Sequence, residues 1–342
     1  MTSLSVLMPT YNGSRFLRPQ IDSILAQSSA DFELLIMDDG STDDTVAIID
    51  DYVSRDRRVR RLSAARDEGH NEGQNRRLVR LIGAASGDYI AIADQDDIWH
   101  PERNARLQAA IGDKALAFGR SQLIDAEGAD LGLSLLTALD IEPQGVGPLS
   151  SLFTALVSAH AAIIRRTWLD VAPFFGIMPF DQTIGQAALF STGLNYVDDA
   201  VVYHRMHSGN QMNGPVADRG ARGPVFSRYR ARLSASFVGI DRLSLYMTFA
   251  ALANTISLAS DKRSMFRHLA YACRNAWFHR LQTDAGRPRM LERLLHDRLD
   301  GFAESPDDLA TFARRVRSVT RSQLAPVNVA LGIKRYFDRS PR

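Results

Sequence analysis

Residues 88–99 read DYIAIADQDDIW, an apolar run of strand-like composition that leads directly into an acidic loop. The first six residues have the length and residue types of a short buried β-strand. The loop that follows carries three carboxylates, Asp94, Asp96 and Asp97. Like charges this close repel one another and resist burial unless a cation compensates them. The stretch therefore predicts a strand that presents a cation-binding loop at its carboxyl end.

A solvated acidic turn is the simplest alternative for this loop. Against it, Ile98-Trp99 and the helix-starting Pro101 follow directly, and they tie the loop to the hydrophobic core. Carboxylate oxygens suit Mn²⁺ or Mg²⁺, and Mg²⁺ in particular is usually held by one or two carboxylates together with substrate phosphates. We therefore expect a site for Mn²⁺ or Mg²⁺ and a diphosphate.

Two earlier segments repeat the arrangement of a strand followed by a polar loop. The apolar run 4–8 leads into Pro9-Thr10-Tyr11-Asn12-Gly13, and the run 32–37 leads into Asp38-Asp39-Gly40-Ser41. Apolar residues at helical spacing lie between the two runs, which indicates βαβ units and a parallel sheet with helices on both faces. Ligands of such sheets bind beyond the carboxyl ends of the strands. We expect the three polar loops to converge on one crevice.

Together, these three motifs resemble the family 2 glycosyltransferases with the GT-A fold. The DQDDIW wording is most similar to that of the rhamnosyltransferase-type members, and the resemblance covers about residues 4–213. It implies an α/β fold of the GT-A, nucleotide-diphospho-sugar transferase type. This fold is a Rossmann-like mixed sheet with helices on both faces, here followed by a C-terminal helical region.

The resemblance also implies roles for individual residues. The nucleotide, with a pyrimidine base preferred, and the ribose or sugar would be bound by five residues: Pro9, Thr10, Tyr11, Asp39 and Asp94. The metal would be bound by three residues: Asp96, Asp97 and His207. Asp96 would be the principal ligand, but family members differ in which carboxylate of such a cluster binds metal, so Asp97 competes with it. A histidine such as His207 is also often a structural hydrogen-bonding residue.

The family requires a general base about eighty residues after the acidic loop, and Asp181 occupies that place. An acceptor hydroxyl must lose its proton as it attacks the anomeric carbon, which a carboxylate can accept. The alternative is an N-cap, because carboxylates are common at helix N-termini. The acidic pair or His-Asp-Trp found here in many family members is missing, so the acceptor side departs from the family pattern.

The chain divides by charge at about residue 214. Residues 215–342 carry 23 basic and 11 acidic side chains, whereas residues 1–214 carry 18 and 28. We expect a GT-A catalytic domain over 1–214 and a basic, mainly helical region over 215–342. The basic part, with Arg228, Arg230 and Arg232, could contact an anionic membrane surface. A dimerisation element or a helical cap on the crevice are the alternatives.

The remaining composition narrows the location and the class of protein. The single cysteine, Cys273, excludes a disulfide framework. The N-terminus runs straight into a strand and has no secretory leader, which predicts a cytoplasmic protein, with peripheral attachment to the inner face of the membrane as an option. The aromatic and basic signatures of nucleic-acid-binding modules are absent.

These features predict an inverting, metal-dependent glycosyltransferase of the hexosyltransferase class. It would move a sugar, with rhamnose as the guess, from a nucleoside-diphosphate sugar to a hydroxyl of a glycan or lipid-linked glycan in cell-surface polysaccharide synthesis. The chain lacks the Gln-x-x-Arg-Trp motif of processive synthases, so we expect single transfers. The alternatives are a catalytically silent nucleotide-sugar-binding assembly subunit and a nucleotidyltransferase, but 9–13 lacks the glycine-rich, basic loop of the latter.

Overall fold

A computed structural model describes six segments of the chain and five single residues. The segments are 3–63, 74–139, 141–151, 156–169, 180–207 and 260–278, and the single residues are 299, 306, 308, 310 and 312. The strands are β1 Leu4–Thr10, β2 Phe32–Asp38, β3 Val59–Leu62, β4 Tyr89–Ile92, β5 Ile98–Trp99, β6 Leu116–Ile124, β7 Asp130–Ser134, β8 Ala162–Arg165 and β9 Leu194–Arg205. The helices are α1 Ser14–Leu25, α2 Thr45–Arg55, α3 Gln74–Ala84, α4 Arg103–Ala110, α5 Leu135–Leu139, α6 Pro148–Ser151, α7 Phe180–Leu189 and α8 Ser260–Phe278. Short 3₁₀ turns cover Pro143–Gly145, Ala159–Ala161 and Arg166–Trp168.

The nine strands form one mixed sheet in the order β3-β2-β1-β4-β8-β6-β9-β5, and β7 pairs with β6. Strands β1 to β4 are parallel to one another, as the βαβ pattern predicts. Strand β8 runs antiparallel to both of its neighbours, β4 and β6. Residues 116–124 form one continuous strand, β6. The α/β fold expected from the sequence is therefore confirmed.

Helices cover both faces of the sheet because the central strands are apolar on both sides. The seven residues of β1 are all buried except Pro9, which is partly buried. This is the pattern of a parallel strand enclosed by helices. One face packs against α1 and α2, and the other packs against α3 and α7, through Leu17, Ile21, Ile49, Leu78, Leu81 and Ile184.

The C-terminal region contacts the sheet domain next to α7. Phe266 of α8 is fully buried, and its ring meets that of Phe190 edge-on with centroids 5.0 Å apart. Lys262 Nζ donates to the Phe190 carbonyl over 2.8 Å, just beyond the end of α7, where a cation also suits the helix dipole. Further along the chain, the buried Asp308 accepts from the Leu149 N–H of α6. These contacts hold α6 and the end of α7 against C-terminal residues.

Helix α8 lies within the region 215–342, for which mainly helical structure is expected. The arginines at 228, 230 and 232 lie outside the described residues. Among the helices that the structure describes, none is both long enough and apolar enough to cross a membrane.

Candidate active site

The three polar loops meet at one edge of the sheet, as the sequence predicts. Strands β2, β1 and β4 are adjacent and parallel, with Thr10 opposite Asp38 and Leu7 opposite Ile92. Their carboxyl ends therefore lie side by side. The loops that follow bring 10–13, 38–44 and 93–97 into one crevice.

The first two loops are joined by side chains that satisfy backbone groups of the opposite loop. Asn12 Oδ1 accepts from the Thr42 N–H over 2.8 Å, and Ser41 Oγ accepts from the Asn12 N–H over 2.8 Å. Thr45 Oγ1 accepts from the Gly13 N–H, also over 2.8 Å. Asn12 has φ of +46°, a left-handed conformation that asparagine tolerates better than most residues. These bonds fix the two loops against each other.

Asp38 and Asp39 have different tasks in the second loop. The Asp38 carboxylate accepts from the Gly40 and Ser41 N–H groups, over 2.9 and 2.7 Å. It also accepts from the Thr10 hydroxyl over 3.0 Å. Asp38 thus organises the turn, and the buried Thr10 side chain is directed into it rather than into the crevice.

Asp39 forms an ion pair with Arg77 of α3, a residue that the sequence analysis did not single out. Arg77 donates through Nε over 2.9 Å and through Nη2 over 2.5 Å, and its side chain is only 1% exposed. No motif surrounds Arg77 in the sequence, so only its place in α3 reveals the pair. Nearby, the Tyr11 ring is 46% exposed and offers an open aromatic face.

Each carboxylate of the 94–97 loop faces a histidine. Asp96 Oδ2 and His207 Nε2 lie 2.9 Å apart, and Asp97 Oδ1 and His204 Nδ1 lie 2.8 Å apart. Asp94 Oδ2 and His160 Nδ1 lie 3.4 Å apart. Of the three histidines, the sequence analysis identified only His207.

Asp97 is fully buried, His204 is 13% exposed, and each favours the charged form of the other. Burial disfavours both charges, but each partner outweighs that cost for the other. The charge and hydrogen bond of Asp97 raise the pKa of His204 to about 9. The pKa of Asp97 is correspondingly held below its ordinary value by His204, with further help from His160 and the Arg205 N–H. One of the three negative charges is therefore compensated by the protein itself.

The remaining negative charge of the acidic loop is only partly compensated by neighbouring residues. Burial, followed by the neighbouring charges of Asp97 and Asp94, raises the pKa of Asp96, although His207 opposes the shift. Asp97 Oδ2 is fully buried and has no hydrogen-bond partner within the part of the chain that the structure describes. A cation stabilises such an environment, in which a buried carboxylate oxygen without a partner lies next to a carboxylate whose pKa is raised by burial and neighbouring negative charge. The residues present therefore fit a divalent ion.

Within the described part of the chain, Asp94, Asp97, His160 and His204 offer potential ligand atoms that all lie within 4.8 Å of one another. The His160 and His204 rings are stacked, with centroids 4.8 Å apart and planes inclined by 10°. Imidazole binds metal through a lone pair in its ring plane, so two rings stacked face to face do not direct both nitrogens at one ion. Of the predicted ligands, Asp97 belongs to this group, and Asp96 and His207 form their own pair.

The end of β9 and the residues just after it, 205–207, are fixed to α1 and to the acidic loop. Arg205 Nε donates to the Asp96 carbonyl over 3.0 Å, and its guanidinium lies 4.9 Å from the centroid of the Phe16 ring. The same ring lies 4.6 Å from that of His207. His207 is therefore held by contacts on both sides.

Asp181 lies in the first turn of α7 and is partly buried. The Ala159 N–H donates to its carboxylate. Burial raises the pKa of Asp181, and the charge of Asp94 adds to the rise while His160 opposes it. A raised carboxyl pKa makes a better proton acceptor at neutral pH. The candidate base and the acidic loop thus share electrostatic neighbours.

Comparison with known proteins gives a consistent family. Residues 5–170 match the family model described as glycosyl transferase family 2. The glycosyltransferase GlyG of Streptococcus pneumoniae serotype 4 is 25% identical over 222 residues, which cover 61% of this chain and 72% of that protein. The dTDP-rhamnosyl transferase RfbG of Shigella flexneri is 32% identical over 97 residues, 28% of this chain, and the match spans about a third of that protein's length, 34%.

The solved structures add the fold. The S. aureus TarS fragment 1–349 in complex with UDP-GlcNAc superposes with a TM-score of 0.51 at 16% identity. The match covers 94% of this chain and 91% of that one. The solved structures that match this chain are GT-A glycosyltransferases, so the chain has the GT-A fold.

Proposed function

The chain belongs to glycosyl transferase family 2 through residues 5–170, and from that premise we propose that it is an inverting, metal-dependent sugar transferase. It would move a sugar from a nucleoside-diphosphate sugar to a hydroxyl of a glycan or lipid-linked glycan in cell-surface polysaccharide synthesis. The observation that carries the proposal is the convergence of the acidic loop 94–97 with the candidate base Asp181. Both contact the Ala159–Ala161 turn.

In this proposal the nucleotide lies along the first two loops. The exposed Tyr11 ring offers a stacking face for the base, next to Pro9 and Thr10. Asp39 accepts a hydrogen bond from a pyrimidine, and its ion pair with Arg77 fixes the carboxylate for that purpose. Asp94 accepts hydrogen bonds from the ribose or the sugar.

The diphosphate and a Mn²⁺ or Mg²⁺ ion belong beside the acidic loop. Asp96, Asp97 and His207 would hold the ion, with Asp96 as the principal ligand. When bound, the ion neutralises charge that develops on the leaving diphosphate. Arg205 supports this arrangement because its bond to the Asp96 carbonyl fixes the loop from behind.

Asp181 would act as the general base. Its carboxylate takes the proton of the acceptor hydroxyl while the acceptor oxygen forms a bond to the anomeric carbon. On the opposite face of that carbon, the bond to the diphosphate oxygen breaks and the nucleoside diphosphate leaves with the electron pair. A single displacement inverts the anomeric configuration. The raised pKa of Asp181 supports this role.

The donor sugar and the acceptor side are the finer parts of the proposal. Rhamnose is favoured by the DQDDIW wording and by the similarity to RfbG. A lipid-linked acceptor would place the enzyme in the cytoplasm at the inner face of the membrane, with the basic region 215–342 toward anionic lipid.

The test is nucleoside diphosphate release by the purified full chain. A panel that includes dTDP-rhamnose and UDP-GlcNAc is incubated with Mn²⁺ or Mg²⁺, and slow hydrolysis is followed in wild type and Asp96→Asn. Asp113→Asn is the matched control, since Asp113 is 86% exposed and lies far along the chain from the loop. We expect release from one donor. This release should be lost with EDTA and in Asp96→Asn, and it should persist in Asp113→Asn. Nucleotide binding that ignores both metal and Asp96 would contradict the proposal.

A further inference from the structure

The Ala159–Ala161 turn lies at the centre of the site because β8 is antiparallel to β4. Their register pairs Tyr89 with Arg165 and Ala91 with Ile163. The start of β8 therefore lies next to the end of β4, where the acidic loop begins. This places the buried His160 beside Asp94, more than sixty positions away in the sequence.

Both ring nitrogens of His160 are engaged. Nε2 lies 2.8 Å from the hydroxyl of Ser121, a buried residue of β6, and Nδ1 faces Asp94 Oδ2 over 3.4 Å. A carboxylate favours a proton on the nitrogen that faces it, so Nδ1 carries a proton, and Nε2 is paired with the Ser121 hydroxyl. Stacking on His204 holds the plane of the ring.

The backbone of the same turn is also held by hydrogen bonds. The buried Arg103 donates to the carbonyls of His160 and Ala162, over 2.9 Å each. The guanidinium also lies 3.7 Å from the centroid of the Trp99 ring, so it joins the turn to the segment just after the acidic loop. On the other side, the Ala159 N–H donates to Asp181. One turn thus contacts both Asp94, the carboxylate assigned to the sugar donor, and Asp181, the candidate base.

We propose that His160 is a positioning residue for the donor side of the reaction. Its Nδ1–H orients Asp94 toward the ribose or sugar of the donor, and the Ser121 hydroxyl holds the ring through Nε2. The inference rests on the proposed function, because it assigns Asp94 to the donor. It adds two residues, His160 and Ser121, to the machinery.

The test is a double-mutant cycle on nucleotide binding. Affinity of the full chain for dTDP and UDP is measured by calorimetry with Mn²⁺ for wild type, His160→Ala, Asp94→Ala and the double variant. Loss of the contact between Nδ1 and the Asp94 carboxylate predicts that His160→Ala weakens binding by roughly tenfold in wild type. If His160 acts through Asp94, the same substitution costs less than about twofold in the Asp94→Ala background.

Two conservative variants separate positioning from packing. His160→Asn keeps an N–H donor near the place of Nδ1 and should restore most of the affinity, whereas Ser121→Ala should weaken binding in the same direction as His160→Ala. Equal losses in both backgrounds, or no rescue by asparagine, would overturn the inference and leave the proposed function intact. Wild type that binds no nucleotide at all would remove the proposed function and this inference with it.

Discussion

The side-chain amide of Gln95 pairs with both backbone groups of Tyr11. Gln95 Oε1 accepts from the Tyr11 N–H over 2.9 Å, and Gln95 Nε2 donates to the Tyr11 carbonyl over 3.0 Å. The acidic loop thereby fixes the loop that carries the exposed aromatic face. Gly13 leaves the space that this amide fills, because a Cβ at that position would overlap it.

The first prediction concerns this pairing. Gln95→Ala removes two hydrogen bonds of about 1 kcal/mol each, so nucleotide affinity should fall by up to roughly thirtyfold. Gly13→Ala should do the same by displacing the amide, and the two substitutions should not be additive. Calorimetric titration with dTDP or UDP measures both effects. Gly83→Ala is the control, since a Cβ there meets nothing within 4 Å. Fully additive losses would show that Gly13 and Gln95 act separately.

The second prediction concerns the candidate base. Asp181→Asn should slow sugar transfer by roughly 10²- to 10⁴-fold and leave nucleoside diphosphate affinity unchanged, because the amide cannot accept the proton. Because burial raises the pKa of Asp181, the transfer rate should fall at a higher pH than an ordinary carboxyl would give, as acid protonates the base. Steady-state rates from pH 4 to 8 measure this. A variant that transfers at the wild-type rate would exclude Asp181 as the base.

The third prediction concerns stability. Burial opposes ionisation of Glu33, but hydrogen bonds from Ser86 and Ser5 and the charge of Arg60 outweigh it and hold its pKa below the ordinary value. Such a group stabilises the fold at pH values above its unfolded pKa, and the contribution is lost as pH falls through the folded pKa. Glu33→Gln should therefore lower the free energy of unfolding by about 1–3 kcal/mol at pH 7.

The same substitution should cost less in acid, at pH values below the folded pKa of Glu33, where the wild-type carboxyl is protonated. Urea unfolding of the full chain at pH 7 and in acid measures the difference. Glu127→Gln is the matched control, since Glu127 is 75% exposed and its ion pair with Arg15 spans 3.9 Å. A loss that does not change with pH would mean that the Glu33 charge contributes nothing.

The fourth prediction concerns the C-terminal helix. Phe266→Ala removes a buried ring from its contact with Phe190, which should lower the free energy of unfolding by about 3–5 kcal/mol. Arg267→Ala, at an exposed position one residue later, should have little effect. Thermal unfolding of the full chain compares the two. Equal effects would show that α8 does not contribute to the stability of the catalytic part.

The fifth prediction concerns membrane contact. The net charge of +12 over 215–342 should make the full chain sediment with vesicles that contain anionic lipid and not with neutral phosphatidylcholine vesicles. Binding should weaken as salt rises from 0.05 to about 0.5 M, because screening shortens the range of the attraction. Binding that ignores both lipid charge and salt would contradict this part of the proposal.

Much of the site follows from local sequence patterns. The apolar runs that form β1, β2 and β4 place Tyr11, Asp39 and Asp94 at adjacent strand ends, because parallel order dictates where those ends meet. The antiparallel course of β8 depends on pairing between distant segments, so no local pattern predicts it. His160 was missed for that reason. His204 was missed because its partner Asp97 is more than a hundred positions away.

The bonds between Asn12, Gly13, Ser41, Thr42 and Thr45 bear on how fast a nucleotide can bind. Their ordering entropy is lost when the protein folds, so an arriving nucleotide does not have to arrange these loops. Association should then be limited by diffusion and orientation, on the order of 10⁵–10⁷ M⁻¹s⁻¹, without a slow phase from loop closure at this end of the crevice. Differences in affinity among donors would therefore come from differences in their dissociation rates.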